Sequence, residues 1–325
     1  MTKAHKLYKI PIMFWRSKMT EYLPEGSRLH TAENLAAIRS TEAILCAMRK
    51  GTVLEARAIV CDSSHNLIVD LPCMQGIIPR EEGARGIKDG TTRDIALIAR
   101  AGKPVCFRVM RIEQDENGSP RAILSRRSVQ EECWNNYLSK LRPGDVIPVR
   151  ITHMERFGCF VDAGCGIPSL IPIDAISVSR ISHPSDRFRT GQHIRAVVTG
   201  FDMGKLCLSH KELLGTWLEN ASIFSTGETV AGMIRSVEDY GVFIELTPNL
   251  AGLAEPQGQL KAGKCASVYI KALIPEKMKV KLVIVDVFDP DEPLPPIKYF
   301  TEEEHINSWR YTPPGASKLI ESVFE

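Results

Sequence analysis

Phe157 and Phe160 bracket Gly158-Cys159, and Tyr240 and Phe243 bracket Gly241-Val242 in the same way. Cations accompany both ring pairs: Arg150, Arg156 and Lys205 belong with the first, and Lys277, Lys279 and Lys281 with the second. Flat rings stack on planar groups and cations hold anions, so the combination suits unstacked bases on a phosphate backbone. A base stacked on an aromatic ring is worth about 1–3 kcal/mol, so two rings and a few phosphate contacts are enough for weak, sequence-tolerant binding. Asp202, close before Lys205, can accept from a base edge or hold the lysine in place. Catalytic chemistry is not visible. Gly164-Cys165-Gly166 lacks the Lys-Ser/Thr and the opening helix of a phosphate loop, and no nucleophile–base pair or pair of carboxylates stands out. His153, His183, His193 and His210 show no ligand spacing with a cysteine. The reading is therefore of a non-enzyme that needs no cofactor and no metal.

These residues need strands to hold them. Ile147, Val149 and Ile151 alternate as one half-buried strand. After Phe157-Gly158 a second alternation sends Cys159 and Val161 to one side and Phe160 and Asp162 to the other. Ala163-Gly164-Cys165-Gly166 turns the chain into a strand over Ile167–Ile171. After a polar crossover, Ile194, Ala196 and Val198 mark a fourth strand, and Leu206 and Leu208, opposite Lys205 and Cys207, mark a fifth. Five short antiparallel strands with a long connection between the third and fourth describe a Greek-key barrel of the OB type. In the later segment Lys277 to Val283, three lysines are expected on the face opposite Met278, Val280 and Leu282.

The arrangement repeats. Trp134 stands ten residues before Gly144, and Trp217 ten before Gly227; from those glycines the offsets to Phe157 and Phe160, and to Tyr240 and Phe243, are equal. Matching offsets through helix, strand and turn establish an internal repeat. A worn copy runs from Gly51 to about Arg127, with Leu67-Ile68-Val69-Asp70 in place of Cys159-Phe160-Val161-Asp162, and His65 and Ile68 at the ring positions. The predicted fold is mainly β: three tandem five-stranded OB-fold barrels joined by short connector helices. Its segments are a basic arm (1–30), a connector helix with the degenerate repeat (31–127), a connector helix with the fullest repeat (128–213), a connector helix with a compact third repeat (214–286), and an acidic, proline-bearing tail (287–325). One helix is expected from Thr31, with Leu35, Ile38, Leu45 and Met48 on a stripe and Gly51 as its stop. A short C-terminal helix is expected over Ala316–Val323.

The order Gly-Asp-Val, Arg-Phe-Gly-Cys-Phe-Val-Asp, Pro-Ile-Asp-Ala-Ile, Gly-Gln-His-Ile-Arg-Ala-Val-Val and Lys-Leu-Cys-Leu-Ser-His-Lys, from Gly144 to Lys211, resembles an S1 domain. That is the RNA-binding repeat of the bacterial ribosomal protein S1 family. The resemblance covers roughly residues 50 to 286. It implies that the two rings of the aromatic-Gly-x-Phe step lie on the binding face, with a His from the third strand, an Asp closing the fourth and an Arg opening the fifth. In this chain the matching residues are Phe157, Phe160, Asp202 and Lys205; Pro172 occupies the His position and Lys205 the usual Arg. In the third repeat Glu255 takes the place of the His. The implied partner is single-stranded RNA, specifically mRNA at the ribosome, with the worn first repeat as the contact to the small ribosomal subunit.

Composition agrees with a folded protein of two or three domains: 325 residues, 44% hydrophobic, with a net charge of +2. So small a charge places any nucleic-acid binding in local charge distribution. No apolar run approaches the ~18 residues of a membrane helix, the N-terminus lacks the core of a secretory signal, and nine scattered cysteines without a C-x-x-C pair point to reduced thiols. A cytoplasmic bacterial protein is expected. Two other readings stand beside RNA holding: a protein scaffold whose barrels no longer bind RNA, suggested by Pro172, Glu255 and the low charge, and a subunit that presents RNA to a nuclease.

Overall fold

The computed structural model describes residues 21–258, 260–289 and 296–324; the basic residues Lys3, Lys6, Lys9, Arg16 and Lys18 and most of the acidic proline segment lie outside them. Three closed barrels follow one another. The first is built from β1 (Leu54–Cys61), β2 (Leu67–Leu71), β3 (Met74–Ile78), β4 (Pro104–Gln114) and β5 (Pro120–Ser125). The central one uses β6 (Val146–Glu155), β7 (Gly158–Asp162), β8 (Pro168–Pro172), β9 (His193–Asp202) and β10 (Lys205–Ser209). The third uses β11 (Thr229–Glu238), β12 (Gly241–Thr247), β13 (Leu250–Ala254), β14 (Cys265–Ile274) and β15 (Lys279–Phe288). In each, the third and fifth strands close the barrel as a parallel pair: Ile77 faces Ile123, Leu170 faces Cys207, and Leu253 faces Lys281. Alternation decides which side chains fill the interior, so Ile147, Val149 and Ile151, Cys159 and Val161, and Leu206 and Leu208 are all buried.

The chain divides into two compact units: residues up to Leu141 with the loop Asp162–Pro168, and Arg142–Val161 with the rest of the chain from Ser169. In the first, the helix expected from Thr31 is two, α1 (Ala32–Ile38) and α2 (Thr41–Lys50). Ser40 breaks it: its backbone is extended and its hydroxyl accepts from the Ala43 N–H, an N-cap in mid-segment. Gly51 ends α2 in the left-handed conformation, as expected. After the short α3 (Ile95–Ile98), the connector helix α4 (Arg127–Asn136) is shorter than its hydrophobic stripe and continues as a 3₁₀ turn over Leu138–Lys140.

Residues 21–30, expected as part of a solvated arm, instead enter the first unit's interior. Glu25 is only 2% exposed. Its carboxylate accepts from Nε and Nη2 of buried Arg126 at 2.6 and 2.9 Å, from Arg100 at 3.3 Å and from the Cys106 N–H at 3.1 Å. The Arg126 charge outweighs burial and holds the Glu25 carboxyl below its usual range. Asp162, expected to face outward with Phe160, is buried too. Its oxygens accept from the backbone N–H groups of Glu25, Gly164 and Gly166 at 2.7–2.9 Å, which turns the side chain inward. Nearby Glu55 is buried and accepts from the Gly26 and Arg28 N–H groups; burial pushes its carboxyl up to about 7.

In the second unit, the connector is a 3₁₀ turn (Lys211–Leu214) followed by α5 (Trp217–Ala221). The tail does not carry a helix at Ala316–Val323. It forms the hairpin β16 (Ser308–Arg310) and β17 (Glu321–Val323), and seats Trp309 and Tyr311 in the core of the third barrel. The Tyr311 hydroxyl donates to the Asn249 carbonyl at 2.6 Å. Upstream, tail residues join the central barrel: the Val146 N–H donates to the Glu304 carbonyl, the Ile306 N–H to the Gly144 carbonyl, and Arg195 to the carbonyls of Thr301 and Glu303. A Cβ at Gly144 would lie 2.2 Å from the Ile306 carbonyl oxygen, so the tail requires glycine there.

Removing Arg126 leaves a buried carboxylate unpaired, so Arg126→Met should destabilise the protein by about 3–5 kcal/mol in chemical denaturation. The raised Glu55 carboxyl holds a proton in the folded state that the unfolded chain releases between about pH 4.5 and 7, so its contribution to stability falls as pH rises through that window. Glu55→Gln should therefore be more stable than wild type at pH 8 by about 3 kcal/mol, and the difference should shrink to below about 1 kcal/mol by pH 5 when unfolding is followed at both.

Candidate nucleic-acid interface

The ring pairs sit at matching places on two barrels. Phe157 occupies the turn between β6 and β7 and is 55% exposed, while Phe160 projects half-buried from the outer face of β7. Their centroids are 6.0 Å apart at 89°, an edge-to-face contact. Tyr240 and Phe243 reproduce it at 6.1 Å and 86°, with Tyr240 69% exposed. The intervening glycines let the strands meet closely. A Cβ at Gly158 would stand 2.4 Å from the Ile171 carbonyl oxygen, and one at Gly241 2.8 Å from that of Ala254. The Phe157 carbonyl accepts from the Ile173 N–H, which pins the turn that presents the ring.

The expected cations divide. Arg156 is exposed beside Phe157 in the same turn. Asp202 and Lys205 face one another across the β9–β10 turn, both exposed; the structure aligns them as register neighbours without an ion pair. Arg150 pairs with His193 across β6 and β9, and its Nε donates to the Gly191 carbonyl at 3.2 Å. In the third barrel, Phe243, Leu253 and Lys281 are successive neighbours across β12, β13 and β15, so Lys281 shares the row of the ring. Lys279 is exposed two residues away on the same face. The lysine rib is shorter than its sequence suggests. Lys277 lies in a 3₁₀ turn, and Met278 takes a left-handed backbone before β15 starts, so Lys277 does not continue the strand's alternation. Pro172 ends β8 exposed, and Glu255 is exposed just after β13.

In the first barrel the corresponding row is aliphatic: Val60, Ile68, Ile77 and Ile123 are successive cross-strand neighbours, ending at Arg111 on β4. Arg111 and Arg121 both close on Glu113, at 3.1 and 2.6 Å. His65 takes a left-handed conformation in a turn whose Asp62 carboxylate accepts from the Ser64 and Asn66 N–H groups. This face has no ring to stack and no cation without a carboxylate beside it in the row.

The alternation of Ile147, Val149 and Ile151 points His153 inward, and its sequence context does not mark it as a binding residue. Its side chain is instead 65% exposed and its ring lies next to Phe160, 6.3 Å between centroids at 21°. The signal that could have found it was the offset from Gly144, which equals that of Ser236 from Gly227.

Three closed five-stranded barrels, two of them with an outward ring pair, define a tandem OB-fold protein. Residues 140–211 match the model of the S1 RNA binding domain. It is 28% identical over 235 residues to small ribosomal subunit protein bS1 of Leuconostoc lactis, covering 66% of this chain and 52% of that protein. It is 29% identical over 198 residues to the bS1 homolog of Bacillus subtilis (59% and 50%), and 27% identical over 202 residues to bS1 of Chlamydia muridarum (58% and 35%). The chain thus spans about half or less of the length of these relatives. Among the described residues, no helix is long and apolar enough to cross a membrane.

Because both rings project outward, Phe157→Ala combined with Phe160→Ala should lower unfolding stability by less than about 1.5 kcal/mol, whereas Ile171→Ala in the barrel interior should cost about 2–5 kcal/mol. Parallel thermal melts check the contrast.

Proposed function

We propose that the protein holds single-stranded RNA on the outer faces of its central and third barrels, and that in the cell it holds mRNA at the small ribosomal subunit during translation. The observation that carries the reading is the repeated edge-to-face ring pair, exposed at the same place on two barrels with cations beside it: Arg156 and Lys205 on one, Lys279 and Lys281 on the other. Rings without cations would suit a protein partner, and cations without rings a duplex backbone; the two together suit unstacked bases. The matched RNA-binding domain model and the ribosomal names of the relatives support the same reading. The protein acts by binding, without catalysis of its own, in the cytoplasm. Lys277 and Arg150 contribute to phosphate attraction at the edges of the face.

A second role belongs to the first barrel. Its aliphatic row and its arginines closed on Glu113 favour a protein contact over RNA, and we assign it the docking role towards the small subunit.

Fluorescence anisotropy of a labelled single-stranded RNA at two salt concentrations tests the main reading. Wild type should bind with an affinity that falls as salt rises, by a log–log slope of about −2 if three phosphates are neutralised. The Phe157→Ala/Phe160→Ala variant should stay folded and bind at least tenfold more weakly. Absence of binding by wild type at low salt would overturn the reading.

A further inference from the structure

The row that carries Phe160 extends one strand further than the ring pair. In the third barrel Phe243 faces Ser236 across β11 and β12, and in the first Ile68 faces Val60 across β1 and β2. Both strand pairs slip register just before this position, between Ile234 and Ser236 and between Ala58 and Val60. A bulge of this kind adds a residue and turns the next side chain to the opposite face. At the same offset the central barrel has His153, and its ring does lie outside, next to Phe160. The three repeats thus place valine, histidine and serine at one structural position, and only the central barrel has a π-face there.

The imidazole is held in that orientation. His153 Nε2 lies 2.6 Å from Glu155 Oε1, two residues along the same strand. One plane therefore runs near-parallel to Phe160 on a largely exposed side chain, and the carboxylate fixes the ring from its edge. Thr152, the residue before it, donates its hydroxyl to the Phe160 carbonyl at 3.1 Å and ties the two strands together beneath the rings.

We propose that His153 is a third base-stacking residue of the central barrel, oriented by Glu155, so that Phe157, Phe160 and His153 form one ledge for consecutive bases. The inference rests on the RNA-binding reading and adds a residue to it. It also ranks the barrels: the central one, with three rings, holds RNA more tightly than the third, where Ser236 offers only a hydroxyl.

The test uses the full chain and a single-stranded RNA containing 2-aminopurine, whose fluorescence is quenched on stacking, with anisotropy in parallel. His153→Ala should weaken binding by roughly five- to a hundredfold and reduce the quenching. His153→Phe should retain affinity within about twofold and keep the quenching, and both variants should melt close to wild type. If His153→Ala binds as wild type does while Phe157→Ala/Phe160→Ala loses binding, the His153 proposal is overturned and the RNA reading stands. If His153→Phe binds as weakly as His153→Ala, stacking is not what the residue supplies. Failure of the wild type to bind would remove the RNA reading itself.

Discussion

A closed ladder of backbone hydrogen bonds is the constraint on which everything else here depends. Once the third and fifth strands pair in parallel, each barrel has no open edge and its peptide groups are satisfied internally. The inward side chains must then fill a fixed small volume, which is why valine, isoleucine, leucine, alanine and cysteine recur there. The outward side chains carry no such duty. At equivalent places in this row the repeats have Ile68, Phe160 and Phe243; Ile77, Leu170 and Leu253; and Ile123, which is buried, Cys207 and Lys281. One scaffold thus supports an aliphatic face, a face with a ring ledge and a face with rings and lysine.

Much of this could be read from the sequence because the period of a strand is two. Alternation placed the core residues, equal offsets between Gly144 and Gly227 exposed the repeat, and the glycine between the rings marked a close strand approach. The pattern fails where the period is broken. In the first and third barrels a bulge ahead of the ring row breaks the alternation, and at the same offset in the central barrel His153, which the parity of Ile151 points inward, is exposed. Met278 breaks the lysine alternation in the same manner, through a left-handed turn instead of a bulge.

Other residues were illegible because their partners are distant in sequence. Nothing local to Asp162 announces that the Glu25 N–H will turn it inward, and nothing local to Glu25 announces Arg126. A charged residue in a polar segment reads as solvated until the long-range partner is known. The tail is a similar case: Trp309 and Tyr311 follow a proline-rich stretch that reads as a linker, and the third barrel's core accepts them all the same.

That last feature bears on how the protein is made. Synthesis is vectorial, and domains generally fold in the order in which they emerge. Trp309 and Tyr311 leave the ribosome only after all fifteen barrel strands have been translated. Until then the seat on the third barrel, the Gly144 carbonyl and the start of β6 at Val146 lack the partners the tail supplies. The central and third barrels can therefore close early but are sealed late, by a single segment that reaches both. A chain without this segment would leave the apolar seat of Trp309 and Tyr311 exposed on an otherwise closed third barrel.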